Sequence, residues 1–364
     1  MSLSSTVEEH LKPNWRHVGI FLAMTFGLAW FLDLGIYLHG GLGKPGTVAA
    51  LQLQMLLPAF SATMLGIVFF RESPIHRSRA VGRGLWLFGF MLALTVLYAV
   101  SVAVIWAVPQ KRVIIAVTIV TQVVTFLGLV LLVVLRITGG RGEMARVGLA
   151  WGRGRFYIAL GLGVIAFYVL QAALNGLLGL GPTHLASVPA IPGLGAPATM
   201  LIAGLQSVVL APFFAVLLAF GEEYGWRGYL QSELIKLGRV RGVIIVGVIW
   251  GVWHWPIILM GYNYPGHPFA GLLLMLLYTM GFAVVLGFAV LRTGSVVLAA
   301  YLHALNDQVI AFILFLGFKP HNPVFAFGIG IYGVATLAIV ALLFVRLSSV
   351  WKEHGVAGRA GKKA

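Results

Sequence analysis

The chain alternates long apolar runs with short polar or glycine-rich connections. Runs near 18–38, 48–70, 85–107, 113–135, 156–180, 198–222, 242–260, 269–291, 296–317 and 324–346 can each cross a hydrocarbon core of about 30 Å. Lipid offers no partner for backbone N–H and C=O groups, so a spanning segment must satisfy its own. The pattern therefore predicts an all-α fold: a polytopic transmembrane helical bundle of about ten spans. Gly and Pro across 181–197 blur the edges of the fifth and sixth runs. The loops are short, so no soluble domain is expected between spans. No internal repeat suggests a two-fold transporter. The first 15 residues are polar, and no A-x-A-like site precedes a short apolar core, so the first run is expected to be a retained span.

Composition fits this reading. Hydrophobic residues make up 60% and charged residues 10%, with only 10 Asp and Glu. Mean hydropathy is +0.97. A soluble globule needs more polar surface than this, so soluble, disordered and fibrous classes are excluded. The net charge of +15 would suggest nucleic acid in a soluble protein. Here the basic residues sort by side instead. With the loops numbered alternately, only Lys44, Lys111, Arg112 and Lys319 of the 25 Lys and Arg fall opposite the N-terminus. The other 21 share one side, which predicts that both termini are cytoplasmic and that nucleic acid is not a partner. The stretch 136–155 suits either a surface helix or a plain loop. No cysteine is present, which excludes disulfides, thiol catalysis and Cys-ligated metals.

The few acids sort by depth. Glu8, Glu9, Glu72, Glu143, Glu233 and Glu353 lie outside the runs and read as surface. Asp33, Glu222, Glu223 and Asp307 lie within or at the ends of runs, as do His254 and His303. Ionisable groups in lipid are costly and usually face the bundle interior. Asp33 is read as a local polar contact. Glu223 and Arg227 are four apart and share a helix face suited to an ion pair; so do His303 and Asp307. Trp250 sits one turn before His254, and Trp250, Trp253 and Trp255 read as packing or cavity wall. Gly247 and Gly251 permit close helix approach. Measured from an inner end near 242, His254 lies roughly 18 Å deep at 1.5 Å per residue. Glu222, at the inner end of its run, is expected near the inner boundary, and this depth mismatch strains any shared site.

One carboxylate and two imidazoles in a semi-buried cavity suit hydrolysis. The carboxylate takes a proton from water, a histidine orients the water or protonates the leaving amine, and an N–H steadies the oxyanion. There is no H-E-x-x-H and no G-x-S-x-G.

Three segments carry a further signal. Gly221 to Gly228 (GEEYGWRG) matches E-E-x-x-x-R. Ile249 to Pro256 (IWGVWHWP) is similar to F-x-x-x-H, with Trp250 in place of Phe. Ser295 to Asp307 (SVVLAAYLHALND) is similar to H-x-x-x-N/D. Together and in this order they resemble the CAAX-protease and bacteriocin-processing (Abi) family of glutamate-dependent intramembrane endopeptidases. The resemblance covers 195–320 as a protease core. It leaves 1–194 as N-terminal helices without a recognised motif, and 321–364 as a last span with a basic tail.

The resemblance implies that Glu222 is the general base and that Glu223 and Arg227 hold it in place. It implies that His254 shares the water or acts as acid, and that His303 and Asp307 lie in the oxyanion region. No cofactor is implied; zinc is a chemically plausible alternative for two His and a Glu, but is not favoured. The implied partners are the lipid bilayer and a peptide or protein substrate, lipidated in the family's namesake, and the implied site of cleavage is near the cytoplasmic face of a prokaryotic cell membrane. Asp307 stands where Asn is frequent, and an ionised Asp cannot donate to an oxyanion. Either Asp307 is protonated, or it orients His303, or Asn306 supplies the amide; the orienting role is the favoured one. Two rivals are a non-proteolytic protein of the same fold, in bacteriocin immunity or scaffolding, and an ion-coupled transporter.

Overall fold

The computed structural model describes residues 12–66, 82–138, 150–181, 191–315 and 319–352. Among these, the regular elements are helices, and no strand occurs. They are α1 Trp15–Leu38, α2 Thr47–Met64, α3 Gly82–Ala107, α4 Lys111–Thr138, α5 Gly154–Leu177, α6 Ala196–Leu237, α7 Arg239–Trp253, α8 Trp255–Leu259, α9 Pro268–Thr293, α10 Val296–Phe315 and α11 Ile331–Leu347. Eight of them, α1 to α6 with α9 and α10, are long and apolar enough to cross a membrane. The chain is thus an integral, multi-pass membrane protein. Much of the 136–155 stretch lies outside the described residues, as do Glu8, Glu9, Glu72, Glu143 and Glu353. Glu233, near the end of α6, accepts from Lys236 at 2.8 Å and from the Asn14 N–H at 2.9 Å.

Two runs depart from their expected shape. The sixth does not stop at Glu222. Helical backbone continues to Leu237 and includes two π-helical stretches, 206–210 and 224–230. The run of apolar residues ends at Glu222, but the helix does not: Glu223, Arg227 and Gln231 beyond it are buried by neighbours. The seventh is a 15-residue helix that ends at His254, roughly 22 Å at 1.5 Å per residue. Pro256 has no N–H for the Val252 carbonyl and clashes with a continued turn. The Trp253 carbonyl, freed by the break, accepts from Trp30 Nε1 at 3.3 Å instead. The last run appears as a shorter, 17-residue helix, α11.

Glycine sets the contacts that matter. A methyl on Gly247 would lie 2.6 Å from Met280 Cα, and one on Gly251 would lie 2.6 Å from Thr279 Oγ1. The expected small-residue face of α7 therefore lies directly on α9. Thr279 Oγ1 seals the contact by donating to the Gly247 carbonyl at 2.9 Å. On α6, a methyl on Gly221 would meet the Met55 carbonyl oxygen at 2.6 Å, and one on Gly225 would meet Pro58 Cβ at 2.4 Å. These two glycines flank Glu222 and Glu223 and bring α2 against them. The middle of α6 also lies on α10, which in turn lies on α5.

Candidate functional site

Gly238, with φ of 111°, forms the corner between α6 and α7. Glu222 and His254 both lie 16 positions from it, on antiparallel arms. Equal arm lengths bring them to equal depth, about 24 Å from the corner at 1.5 Å per residue. This removes the depth mismatch, which arose from ending the sixth helix at Glu222. It also moves the site. The corner carries Lys236, Arg239 and Arg241, whereas the cavity holding Glu222 is walled by Ile257, Tyr262, Asn263 and Ile329, from connections at the other end of the bundle. The site therefore lies away from the basic corner, not beside it.

The cavity has a volume of about 320 Å³ and brings together Glu222, Trp250, His254, His303, Asn306 and Asp307. Five of them stand at motif positions, and Asn306 was named as the neighbour of Asp307. Glu222 is buried, and its Oε2 accepts from Trp250 Nε1 at 2.8 Å. The tryptophan that departs from the family's phenylalanine thus supplies a donor that phenylalanine lacks. Trp250 also fixes His254, whose Nδ1 lies 2.8 Å from the Trp250 carbonyl oxygen. A carbonyl only accepts, so Nδ1 carries the hydrogen and Nε2 is the free nitrogen of the ring.

Glu223 and Arg227 act on other partners than Glu222. Glu223 Oε1 accepts from Arg227 at 2.9 Å and lies 2.9 Å from His303 Nδ1. Both side chains of the ion pair are fully buried. The Arg227 guanidinium lies 4.2 Å from the centre of the Trp250 ring, a cation–π contact. One buried unit therefore runs from His303 through Glu223 and Arg227 to Trp250 and on to Glu222. The expected His303–Asp307 contact is longer, 3.6 Å from Nε2 to Oδ2, and the Asp307 side chain is open to the cavity.

Asn306 is clamped. The hydroxyls of Tyr168 and Tyr278 lie 2.7 and 2.9 Å from its Oδ1, and Nδ2 donates to Asp307 Oδ1 at 3.1 Å. With Oδ1 accepting from hydroxyls, the amide N–H groups point the other way, and only one is taken by Asp307.

Sequence reasoning missed three contributors. Tyr168 comes from α5 and Gln54 from α2, both in the half without motifs, and Tyr278 comes from α9. No spacing marks them; only the folded contact does. Asp33 is a local polar contact, as expected: Gln54 Nε2 donates to both its carboxylate oxygens at 3.1 Å. Gln54 in turn lines the cavity, so the acid of the first span fixes a carboxamide at the site wall.

No curated protein and no solved structure matches the chain. Residues 204–309, which hold Glu222, His254, His303 and Asp307, match the family described as Rce1-like, Type II CAAX prenyl endopeptidase, and this stretch carries that family's domain.

Proposed function

We propose that the chain is an intramembrane endopeptidase that hydrolyses peptide bonds with water activated by Glu222. The observation that carries this reading is the buried Glu222 carboxylate, held by Trp250 Nε1 in one cavity with the free Nε2 of His254 and the amide of Asn306. A water between Glu222 and His254 gives a proton to the carboxylate while its oxygen attacks the scissile carbonyl. The remaining N–H of Asn306 donates to the oxyanion. Collapse of the tetrahedral species breaks the C–N bond, and the proton held by Glu222 passes to the leaving amine. His303, fixed by Glu223, is a wall of the oxyanion side. Asp307 holds the Asn306 amide in place, a role that takes over from the favoured expectation that it orients His303.

The chemistry needs no metal on this reading. With the basic corner at the cytoplasmic side, the site meets its peptide from the opposite side of the bundle. The test is cleavage of a prenylated C-a-a-X peptide and a panel of unlipidated membrane peptides by the full chain in detergent. Turnover that survives a strong chelator supports the glutamate mechanism; loss on chelation and return with zinc would overturn it.

A second measurement addresses the departure in the middle motif. Trp250→Phe keeps an aromatic ring but removes the donor to Glu222. Hydrogen bonds to charged groups contribute about 1.5–3 kcal/mol, so kcat is expected to fall roughly 10- to 100-fold while KM holds. An unchanged kcat would show that the Trp250 N–H does not serve the base.

A further inference from the structure

An endopeptidase must hold its substrate extended, and that requirement conflicts with the membrane. An extended segment leaves its N–H and C=O groups unpaired, and each costs several kcal/mol in hydrocarbon. Many soluble proteases solve this by adding the substrate to a sheet edge. Among the described residues this chain has no strand to offer. Side chains must supply the donors and acceptors instead.

A second cavity, of about 590 Å³, meets this need. Four glutamines line it, each from a different helix: Gln52 of α2, Gln122 of α4, Gln206 of α6 and Gln308 of α10. Gln122 and Gln206 are exposed, and Gln52 and Gln308 half-buried. Glutamines in membrane helices ordinarily hydrogen-bond across to a neighbour. Among the described residues none of these four bonds to another protein group. Four unmet carboxamides from four helices in one groove mark a place for a ligand with both donors and acceptors. A carboxamide is the side-chain equivalent of the peptide unit and pairs with either half of it.

The groove shares no lining residue with the Glu222 cavity, but on α6 it lies on the same face as the base. Gln206, Leu210, Phe214 and Leu218 line it, and Glu222 follows four residues later. Ala211 and Ala215 line it as well, and the spacing 4, 3, 4 keeps Ala211, Ala215, Leu218 and Glu222 on one face of α6. One π-helical stretch, 206–210, begins at Gln206, and the other, 224–230, follows the paired glutamates. Such stretches are frequent at functional sites. Along the axis of α6, Gln206 is about 24 Å from Glu222 at 1.5 Å per residue. An extended peptide covers that in about seven residues at 3.3 Å each.

We propose that this glutamine-lined groove is the substrate-binding exosite, holding the extended main chain of the peptide segment next to the scissile bond. This rests on the protease reading and adds a binding site to it. The groove selects for backbone and length, not for particular side chains.

The test uses the full chain in detergent and peptides of increasing length on one side of the cut. In the unaltered protein, KM falls as residues are added and levels off about seven from the scissile bond. The Gln122→Leu/Gln206→Leu variant, changed only at exposed positions, is expected to lose that gain. Its KM for the long peptide rises about tenfold, with kcat and the shortest peptide unaffected. A groove that merely feeds water would lower kcat for every length. A groove filled by lipid would leave all the constants unchanged. Either result overturns the proposal. A second measurement does not need turnover: a long peptide with a photoreactive group seven residues from the cut is cross-linked to the Glu222→Gln variant. Labelling at 206–210, lost in the double leucine variant, supports the exosite, and labelling confined to other helices overturns it. Turnover with no groove effect leaves the protease reading standing alone. Groove labelling in a chain that cleaves nothing overturns the protease reading and, with it, the groove's role as an exosite, and leaves the groove as a peptide-binding site alone.

Discussion

Glu222→Gln is expected to lower kcat for peptide cleavage by about 10²–10⁴, the usual contribution of a general base. The substitution is nearly isosteric. Its carboxamide oxygen still accepts from Trp250 Nε1, so the bond at 2.8 Å and the buried surroundings are kept. What is lost is the ability to take a proton from water. Stability and peptide binding should therefore stay near those of the unaltered chain, with KM little changed. Asp at the same place would keep the basicity but shorten the arm by one methylene, drawing the oxygen away from Trp250. Glu222→Asp should then recover part of the activity that Glu222→Gln lacks. Undiminished cleavage by Glu222→Gln would exclude this carboxylate as the base. Equal loss from Glu222→Gln and Glu222→Asp would show that the base needs its Trp250 contact as much as its basicity.

The sequence made the chemistry of the site legible to a greater extent than its architecture. Glu222, His254, His303 and Asp307 stand at motif positions, with Asn306 beside the last of them, and they meet in one cavity. The i, i+4 rule gave the Glu223–Arg227 pair, because both ends lie on one helix and local geometry decides the contact. It gave His303–Asp307 less well, since His303 turns its Nδ1 to Glu223 on another helix. Partners that lie across helices left no periodic trace. The reading that Glu223 steadies Glu222 leaves out the route, which runs through Arg227 and then Trp250 on another helix. The end of α6 was misplaced because hydropathy measures exposure to lipid. Over 223–231 the helix is clothed by protein, so the polar residues there are no sign of a boundary. Gln54, Tyr168 and the four groove glutamines were invisible for the same reason: each is an ordinary polar residue in an apolar run until folding aligns it with others. Asp33 stood out by its charge alone, and its role came only with Gln54.

Arg227→Met is expected to destabilise the bundle by about 3–5 kcal/mol, the cost of leaving one member of a buried ion pair without the other. Glu223 and Arg227 are both fully enclosed, so no water is at hand to replace the lost bond at 2.9 Å. His303 remains as the one partner of Glu223 Oε1, and Trp250 loses the cation that lay 4.2 Å from its ring centre. Thermal unfolding in detergent should show a lower apparent Tm. Arg227→Met/Glu223→Gln separates the two roles of the pair. It removes both charges, keeps the volumes close, and leaves a carboxamide oxygen to accept from His303. Much of the lost stability should return, since a matched neutral replacement of a buried pair is often neutral or better. Activity should not return with it. Trp250 still lacks its cation and the imidazole of His303 its anion, so Glu222 and the oxyanion side both lose their fixed positions. A double variant that regains stability and full kcat would reduce the pair to a structural tie. One that regains stability alone places Arg227 and Glu223 as the residues that position the base.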